Sequence, residues 1–268
     1  VLVVGGSLGM AGAPALAAMA AHRSGAGLVT VATPRSVQPT VAAFDPCTMT
    51  VPLVEDADGC IDFANIVDFA AAARQYDVWA VGPGLGRSAG LTELVAQLYR
   101  TIPGTMVVDA DGLNALAAAS ERNPRLWENP PGPRVLTPHP GEFERLVGAR
   151  PTTPAERIDA ALDFVARDPS GATVVVLKGR GSVVADATQI AVNRTGNPGM
   201  ATGGTGDCLT GVIAALAAQE LSAWDAARLG AHLHGAAGDV AAERLGQQSM
   251  TARDLVDALP AAFMELPR

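Results

Sequence analysis

The sequence has few cysteines, few aromatic residues and a single lysine among its 268 residues. The three cysteines form no CxxC pair, so the paired spacing of a structural zinc site is missing, and an odd number does not suit a disulfide framework. We therefore expect a protein of the reducing cytoplasm. The net charge of −8 argues against nucleic acid or an acidic membrane surface as a partner.

Long apolar segments are also missing. No run is long enough and free enough of charge to cross a bilayer, and no signal peptide is recognisable. The hydrophobic fraction of 49% is typical of a well-buried globular protein, and the length suffices for one large domain. Because the chain opens on the strand-like Val1-Leu2-Val3-Val4 without a methionine, we expect the natural polypeptide to extend further at this end.

Short β-branched runs alternate with longer helical patterns along the chain. Strands are predicted at 1–4, 28–32, 48–54, 78–81, 105–108, 134–136 and 173–177, with a hairpin at 183–185 and 189–192. Helices are predicted at 14–23, 37–43, 61–74, 89–100, 113–119, 154–167, after 209, and from capping residues near 222 and 251. This alternation predicts an α/β fold, with a mainly parallel sheet covered by helices on both faces. Without a repeat or a linker, we expect one domain over residues 1–268.

The most informative stretch is Gly203-Gly204-Thr205-Gly206-Asp207, which leads into an apolar helix. Glycines at a helix N-terminus let the unpaired N–H groups approach a phosphate closely. A carboxylate repels a phosphate, so Asp207 is suited instead to accept a proton from a hydroxyl that attacks it. The alternatives are a plain glycine-rich turn, or a nucleotide-binding sensor without chemistry.

Other polar residues and glycines follow four predicted strands, where ligands bind in open α/β sheets. The segment 82–86 is either a turn or a backbone wall against a ligand. Asp109 and Asp111 are candidate helix caps, and Asp109 alternatively organises a cation or a substrate hydroxyl. We expect the loops after these strands to converge on one crevice.

Three side chains near these strand ends have two interpretations each. His139 lies between two prolines, which favours a binding role, and the alternative is a half-exposed loop histidine without one. Glu142 suits a helix cap or a magnesium ion held through water. Lys178, the single lysine, ends a buried strand and would attract anions from a cleft. Leu177 and not glycine precedes it, so the GK[ST] of a Walker A motif is missing, and the first βαβ unit has no acid after its second strand, which disfavours a Rossmann site.

Taken together, these motifs resemble the ribokinase-like superfamily, and more narrowly the ADP- or ATP-dependent NAD(P)H-hydrate dehydratases. The string Thr-Pro-His-Pro-Gly-Glu at 137–142 is the most specific to that family, whereas Gly-Thr-Gly-Asp at 204–207 is shared across the superfamily. The resemblance covers nearly the whole chain, at segments 6–13, 23–29, 82–86, 109–114, 137–142, 177–179 and 203–207. It implies a ribokinase-like three-layer sandwich.

The resemblance also implies a reaction. The substrate would be the S form of hydrated NADH or NADPH (NADHX or NADPHX), phosphorylated on the C6 hydroxyl by ADP or ATP before phosphate leaves. By position, Asp207 would be the catalytic base and would bind the substrate together with Ala13, Gly84 and His139. The adenine nucleotide would lie along Lys178, Gly179, Arg180, Gly181, Ser182, Thr205 and Gly206. Magnesium would lie near Glu142, bound through water.

Partners and a second function follow from the same resemblance. Members of the family often form tetramers, so a homo-oligomer is expected, and an NAD(P)H-hydrate epimerase is a possible fused or separate partner. The alternative function is a small-molecule kinase of the same fold that acts on a thiazole or pyrimidine alcohol. Several such kinases have cysteine at the position of Asp207, which weighs against this alternative, because Cys208 is one place too late.

Overall fold

The computed structural model describes residues 1–266, in which nine strands form one sheet in the order β3-β2-β1-β4-β5-β6-β7-β8-β9. Strands β1 to β7 are parallel, and β8 and β9 complete the sheet as an antiparallel hairpin. The predicted mainly parallel sheet is therefore confirmed. The strands are β1 Leu2–Val4, β2 Thr30–Pro34, β3 Met49–Leu53, β4 Val78–Val81, β5 Thr105–Val108, β6 Arg134–Leu136, β7 Thr173–Leu177, β8 Val183–Ala185 and β9 Ile190–Val192.

Ten α-helices are found within the described residues, and they lie on both faces of the sheet. They are α1 Gly12–Arg23, α2 Gln38–Phe44, α3 Ile66–Ala72, α4 Ala89–Thr101, α5 Ala110–Arg122, α6 Pro140–Val147, α7 Pro154–Val165, α8 Thr205–Ala218, α9 Ala223–Leu245 and α10 Ala252–Met264. None of the helices in residues 1–266 combines the length and the apolar character that a bilayer-crossing segment needs.

Two apolar cores follow from the alternation of side chains along each strand. In β1, Val3 belongs to the core beneath α1, α8, α9 and α10, whereas Leu2 and Val4 belong to the opposite core. That second core includes Trp79 and Tyr99 and lies beneath α4, α5 and α7. Sheet and helices thus form three layers, as the resemblance implied.

The structure differs from the sequence prediction at several helices. The helix predicted at 61–74 is wrong in its first part, because Asp62 accepts a hydrogen bond from the Ala64 N–H and starts a short 3₁₀ turn before α3. Helix α6 was not predicted, since the prolines beside His139 suggested a loop, yet Pro140 is accommodated in its first turn. Helix α8 begins at Thr205, earlier than expected, so the acid of the glycine motif lies in its first turn.

Gly211 marks a close approach between α8 and α1. A β-carbon at this position would lie 2.0 Å from the backbone oxygen of Ala17, which is closer than atoms can approach. We expect Gly211→Ala to destabilise the fold by about 1–3 kcal/mol or more, because the two helices must separate. The melting temperature followed by circular dichroism should fall by about 5 °C.

Gly12 provides the matched control for this substitution. A β-carbon there meets nothing within 4 Å, and Gly12 is the first residue of α1. Because alanine is a better helix former than glycine, Gly12→Ala should leave the melting temperature unchanged or raise it. An unchanged melting temperature for Gly211→Ala would contradict the close helix contact.

Candidate active site

The carboxyl ends of four neighbouring strands meet at one edge of the sheet. Strands β4, β5, β6 and β7 are adjacent and parallel, so the loops that follow them leave the sheet side by side. Backbone hydrogen bonds join these loops to their neighbours, from Asp109 N–H to Val81 O at 3.1 Å and from Lys178 N–H to Pro138 O at 2.8 Å. The expected convergence of the strand-end loops is therefore confirmed by the topology.

A buried ion pair joins two of these loops. The carboxylate of Asp109, 1% exposed, accepts hydrogen bonds from the Lys178 ammonium at 2.6 Å and from the Thr210 hydroxyl at 3.0 Å. Burial raises the pKa of Asp109, but the charge of Lys178 and the hydrogen bonds that the carboxylate accepts together outweigh burial and hold that pKa below its ordinary value. Asp109 occupies the N-cap position of α5, yet its carboxylate makes no capping hydrogen bond, so the ion pair takes the place of the cap.

The turn between β6 and α6 is closed by a capping box. His139 Nδ1 accepts hydrogen bonds from the N–H groups of Gly141 and Glu142 at 3.0 and 3.2 Å, and Glu142 Oε2 accepts from the His139 N–H at 2.8 Å. The acceptor role of Nδ1 assigns the proton of the neutral ring to Nε2. Burial and the charge of Lys178 lower the pKa of His139, which favours this neutral ring. Glu142 therefore serves as a helix cap, and the half-exposed His139 ring is held at a fixed place.

The glycine loop ends where α8 begins. Gly204, the N-cap residue, has a left-handed φ of 92°. The Thr205 hydroxyl donates to the backbone oxygens of Met200 and Thr202 at 2.8 and 3.0 Å, which closes the loop on itself. From the other side, His234 Nε2 lies 2.8 Å from the Thr205 oxygen, and burial lowers the pKa of His234 to about 4. A neutral histidine on α9 thus fixes the first residue of α8.

Gly206 lies directly against the buried ion pair. A β-carbon at Gly206 would be 3.2 Å from Lys178 Nζ and 3.4 Å from Asp109 Oδ2. Glycine therefore lets the ammonium group lie close to the first turn of α8, where unpaired N–H groups favour an anion. The predicted phosphate-binding residues are brought together here, and their contact with a nucleotide stays a prediction.

Asp207 lies in the first turn of α8 beside this group of charges, and its side chain is partly buried. Its pKa is raised to about 7, first because of burial and then because of the negative charge of Asp109. Lys178 opposes the rise, whereas Asp111 and Glu142 add to it. A carboxylate with a pKa near neutrality is well suited to take up a proton.

Two residues predicted to contact the dinucleotide lie against each other. A β-carbon on Gly84, whose φ is +63°, would lie 3.0 Å from the β-carbon of Ala13 and 2.8 Å from the Met10 oxygen. The Ser7 hydroxyl donates to the Gly84 oxygen at 2.9 Å and fixes the loop. Only glycine is accommodated at this point, which agrees with the predicted backbone wall.

The predicted nucleotide segment 178–182 forms the turn between β7 and β8, with two glycines at positive φ angles of 140° and 66°. The guanidinium of Arg157, on α7, donates to the backbone oxygens of Leu177, Lys178 and Arg180 at 2.9, 3.2 and 2.7 Å. Arg157 was not identified from the sequence. Its three hydrogen bonds connect α7 to the backbone of this turn.

Two further residues of this site, Thr210 and His234, were not identified from the sequence. Thr210 follows Asp207 by three positions, so helical spacing could have placed it on the same face. His234 is the other, and no local pattern connects it with Thr205, because the two residues meet only where α9 packs against the glycine loop.

The acidic side chains of the site do not form a binding site for magnesium by themselves. Within residues 1–266, no three His, Cys, Asp or Glu side chains are grouped as a protein-made metal cage would require. The Lys178 ammonium already lies 2.6 Å from Asp109 and 3.9 Å from Glu142. Magnesium usually keeps several waters and binds substrate phosphates with one or two carboxylates. The residues therefore fit an ion that arrives with the phosphates and reaches Glu142 through water.

Comparison with known proteins gives one family. The family model described as NAD(P)H-hydrate dehydratase matches residues 1–261. A bifunctional NAD(P)H-hydrate repair enzyme of Moorella thermoacetica is 46% identical over 99% of this chain and 49% of its own length. A namesake from Salinibacter ruber is 42% identical over 98% of this chain and 48% of its own length. The chain therefore spans about half the length of the curated relatives it matches.

Solved structures agree with this result. The ADP/ATP-dependent NAD(P)H-hydrate dehydratase of Bacillus subtilis, co-crystallised with ATP and Mg²⁺, matches with a TM-score of 0.80 and 30% identity, covering 98% of this chain and 88% of its own. Phosphofructokinase-2 of Escherichia coli, with a TM-score of 0.60 and 17% identity, covers 92% of this chain and 86% of its own and shares the fold alone. The expected ribokinase-like fold is confirmed.

Proposed function

The chain belongs to the NAD(P)H-hydrate dehydratase family, whose model spans residues 1–261, and we propose that it dehydrates the S form of hydrated NADH or NADPH at the expense of ADP or ATP. The observation that carries the proposal is Asp207, a partly buried acid with a pKa of about 7 at the first turn of α8. A protein that only binds a nucleotide gains nothing from a carboxylate beside a phosphate, whereas an enzyme gains a base.

In the proposed first step, Asp207 accepts the proton of the C6 hydroxyl while the hydroxyl oxygen attacks the terminal phosphorus of the nucleotide. The bond from that phosphorus to the bridging oxygen breaks, and AMP or ADP leaves. The N–H groups at the start of α8 and the Lys178 ammonium stabilise the charge on the transferring group. Magnesium, bound to the phosphates near Glu142, would neutralise further charge.

In the proposed second step, the C6–O bond breaks and phosphate leaves with its electron pair. A proton is lost from the neighbouring ring carbon, and the ring double bond is restored. Hydroxide is a poor leaving group and phosphate is a good one, so the phosphoryl group is transferred only to make departure possible. The product is the repaired dinucleotide and inorganic phosphate, not a phosphorylated alcohol.

We propose that the two ligands bind at separate parts of the site. We place the hydrated dinucleotide against Ala13, Gly84 and His139, because Ala13 and Gly84 are in contact and the His139 ring is fixed by its capping hydrogen bonds. The adenine nucleotide is placed along the turn 178–182 and Thr205–Gly206, where the backbone is held by Arg157 and by the loop's own hydrogen bonds.

The second candidate function is a kinase of the same fold that phosphorylates a thiazole or pyrimidine alcohol. Several such kinases have a cysteine at the base position, and Cys208 does not supply one here. Cys208, the cysteine nearest to the base position, is fully buried, and its thiol lies 3.7 Å from the Ala252 oxygen at the start of α10. It faces the core beneath α10, so Asp207 has no cysteine substitute.

We further propose that residues 1–268 form a single catalytic domain that acts in the cytoplasm, where NADH and NADPH are used, and assembles as a homo-oligomer. An NAD(P)H-hydrate epimerase, fused or separate, is the proposed partner, since it would convert the other hydrate form. The bifunctional name and double length of the curated relatives support this partner.

A direct assay tests the proposed function. Purified protein is incubated with hydrated NADH or NADPH, magnesium, and ADP or ATP in parallel reactions. We expect the absorbance of the reduced nicotinamide to recover only when a nucleotide is present, with one phosphate released per turnover. Faster phosphorylation of a thiazole alcohol would favour the kinase instead, and recovery without any nucleotide would rule out the proposed mechanism.

The raised pKa of Asp207 predicts a pH dependence. Because the base must be ionised, kcat/KM for the hydrated dinucleotide should fall about tenfold per pH unit below about pH 7 and level off above it. Initial rates across this range, at saturating nucleotide, measure the effect. A profile that stays flat down to about pH 5 would contradict an Asp207 base with this pKa.

A further inference from the structure

Three side chains form a hydrogen-bonded chain outside the reaction centre. The Gly86 N–H donates to Asp111 Oδ2 at 3.0 Å, and Asn114 Nδ2 donates to Asp111 Oδ1 at 3.2 Å. Arg145 Nη1 in turn donates to Asn114 Oδ1 at 2.9 Å. This hydrogen-bonded chain thus begins on the loop after β4, crosses the first turns of α5 and ends on α6.

This chain connects the two sides of the proposed dinucleotide site. Gly86 lies two positions after Gly84, which contacts Ala13, and Arg145 lies on the helix whose N-cap is His139. The turn 178–182, assigned to the nucleotide, takes no part in these hydrogen bonds.

The packing of the fold does not account for this hydrogen-bonded chain of three side chains. Helices α5 and α6 already share an apolar core through Leu116 and Phe143, both fully buried. Arg145 is exposed and donates to a neutral amide, and ordering such a long side chain costs about as much entropy as the hydrogen bond gains. Such a series of hydrogen bonds fixes the relative positions of the elements that it joins and adds little to the free energy of unfolding.

We propose that Asp111, Asn114 and Arg145 are positioning residues that fix the Gly84 loop relative to His139 and so determine the affinity for the hydrated dinucleotide. The proposal rests on the proposed function and refines it, because it concerns the dinucleotide side alone. The three residues act through Gly84 and His139 and need not touch the substrate themselves.

The test uses Asn114→Ala, which removes the central link without changing charge and places a good helix former in α5. We expect the KM for hydrated NADH to rise about tenfold, since the loop and the helix lose their fixed separation, while the KM for the nucleotide stays within about twofold. Arg145→Ala should behave alike, and Arg145→Lys should recover part of the affinity. The matched control is Arg125→Ala, which removes an exposed arginine whose guanidinium forms an ion pair with Glu128, and neither KM should change.

A second readout needs no substrate. Hydrogen exchange of the ligand-free protein should become faster in Asn114→Ala for residues 82–86 and the first turn of α6, and stay unchanged in the first turn of α8. A rise of both KM values together, or of neither, would overturn the proposal. If the wild-type protein does not act on hydrated NADH at all, the proposed function fails, and the exchange measurement alone decides whether the chain positions these loops.

Discussion

Asp207→Asn is expected to lower kcat by a factor of about 10² to 10⁴, because the C6 hydroxyl then lacks a group that accepts its proton. Asparagine preserves the size of the side chain and the start of α8, so the fall in kcat reports on proton transfer and not on a change of structure. Nucleotide binding should persist or become tighter, since the substitution removes a negative charge beside the phosphate. Steady-state rates and a nucleotide titration measure the two effects separately.

The stability of Asp207→Asn provides an internal check. The folded-state pKa of Asp207 is raised to about 7 from an ordinary 3.8. The folded state favours the protonated Asp207 side chain. Its contribution to the free energy of unfolding is therefore complete below about pH 3.8 and is lost as the pH rises through 7. Above pH 7 the ionised carboxylate is a cost that asparagine removes, so the variant should melt no lower than the wild type.

A matched control for the same substitution is Asp225→Asn, which changes an acid in the first turn of α9. Asp225 is half-exposed and forms an ion pair with Arg228 on the surface of α9, so turnover by the Asp225→Asn variant should equal that of the wild type. Full activity of Asp207→Asn would contradict the catalytic assignment. An equal loss of kcat in both variants would show that the effect arises from an acid at the start of a helix and not from a catalytic base.

Lys178→Met is expected to be the most destabilising single change at the site. It leaves the carboxylate of Asp109, which is 1% exposed, without its cation, and an unpaired buried charge costs about 3–5 kcal/mol. The melting temperature should fall by about 10 °C. Because Lys178 also opposes the rise in the pKa of Asp207, the acidic limb of the pH–rate profile should move to higher pH in any folded variant.

The double variant Lys178→Met/Asp109→Asn distinguishes the cost of the unpaired Asp109 charge from the cost of the altered packing at position 178. Asparagine removes the uncompensated charge and can still accept a hydrogen bond from the Thr210 hydroxyl, so much of the lost stability should return. Activity should stay low, because the ammonium near Gly206 is missing from the phosphate site. A double variant that melts as low as Lys178→Met would show that the ion pair is not the reason for the loss.

Much of the architecture could be predicted from local patterns. The strands expected at 78–81 and 105–108 match β4 and β5 residue for residue, because buried parallel strands are short β-branched runs bounded by glycine and polar residues. Prediction was wrong or incomplete where a single capping residue decides the boundary. Asp62 shortened one predicted helix, and His139 started another between two prolines that suggested a loop.

The sequence by itself determined the order of the strands and of most helices along the chain, the placement of the glycine motif before an apolar helix, and Asp207 as the candidate base. Those properties depend on residues that are neighbours in the chain. Only the tertiary structure decided that Asp109 pairs with Lys178 across 69 positions, that His234 holds Thr205, and that Asp207 has a pKa near neutrality. Such pairings and pKa values depend on burial and on charges brought close by the sheet order, which no local pattern contains.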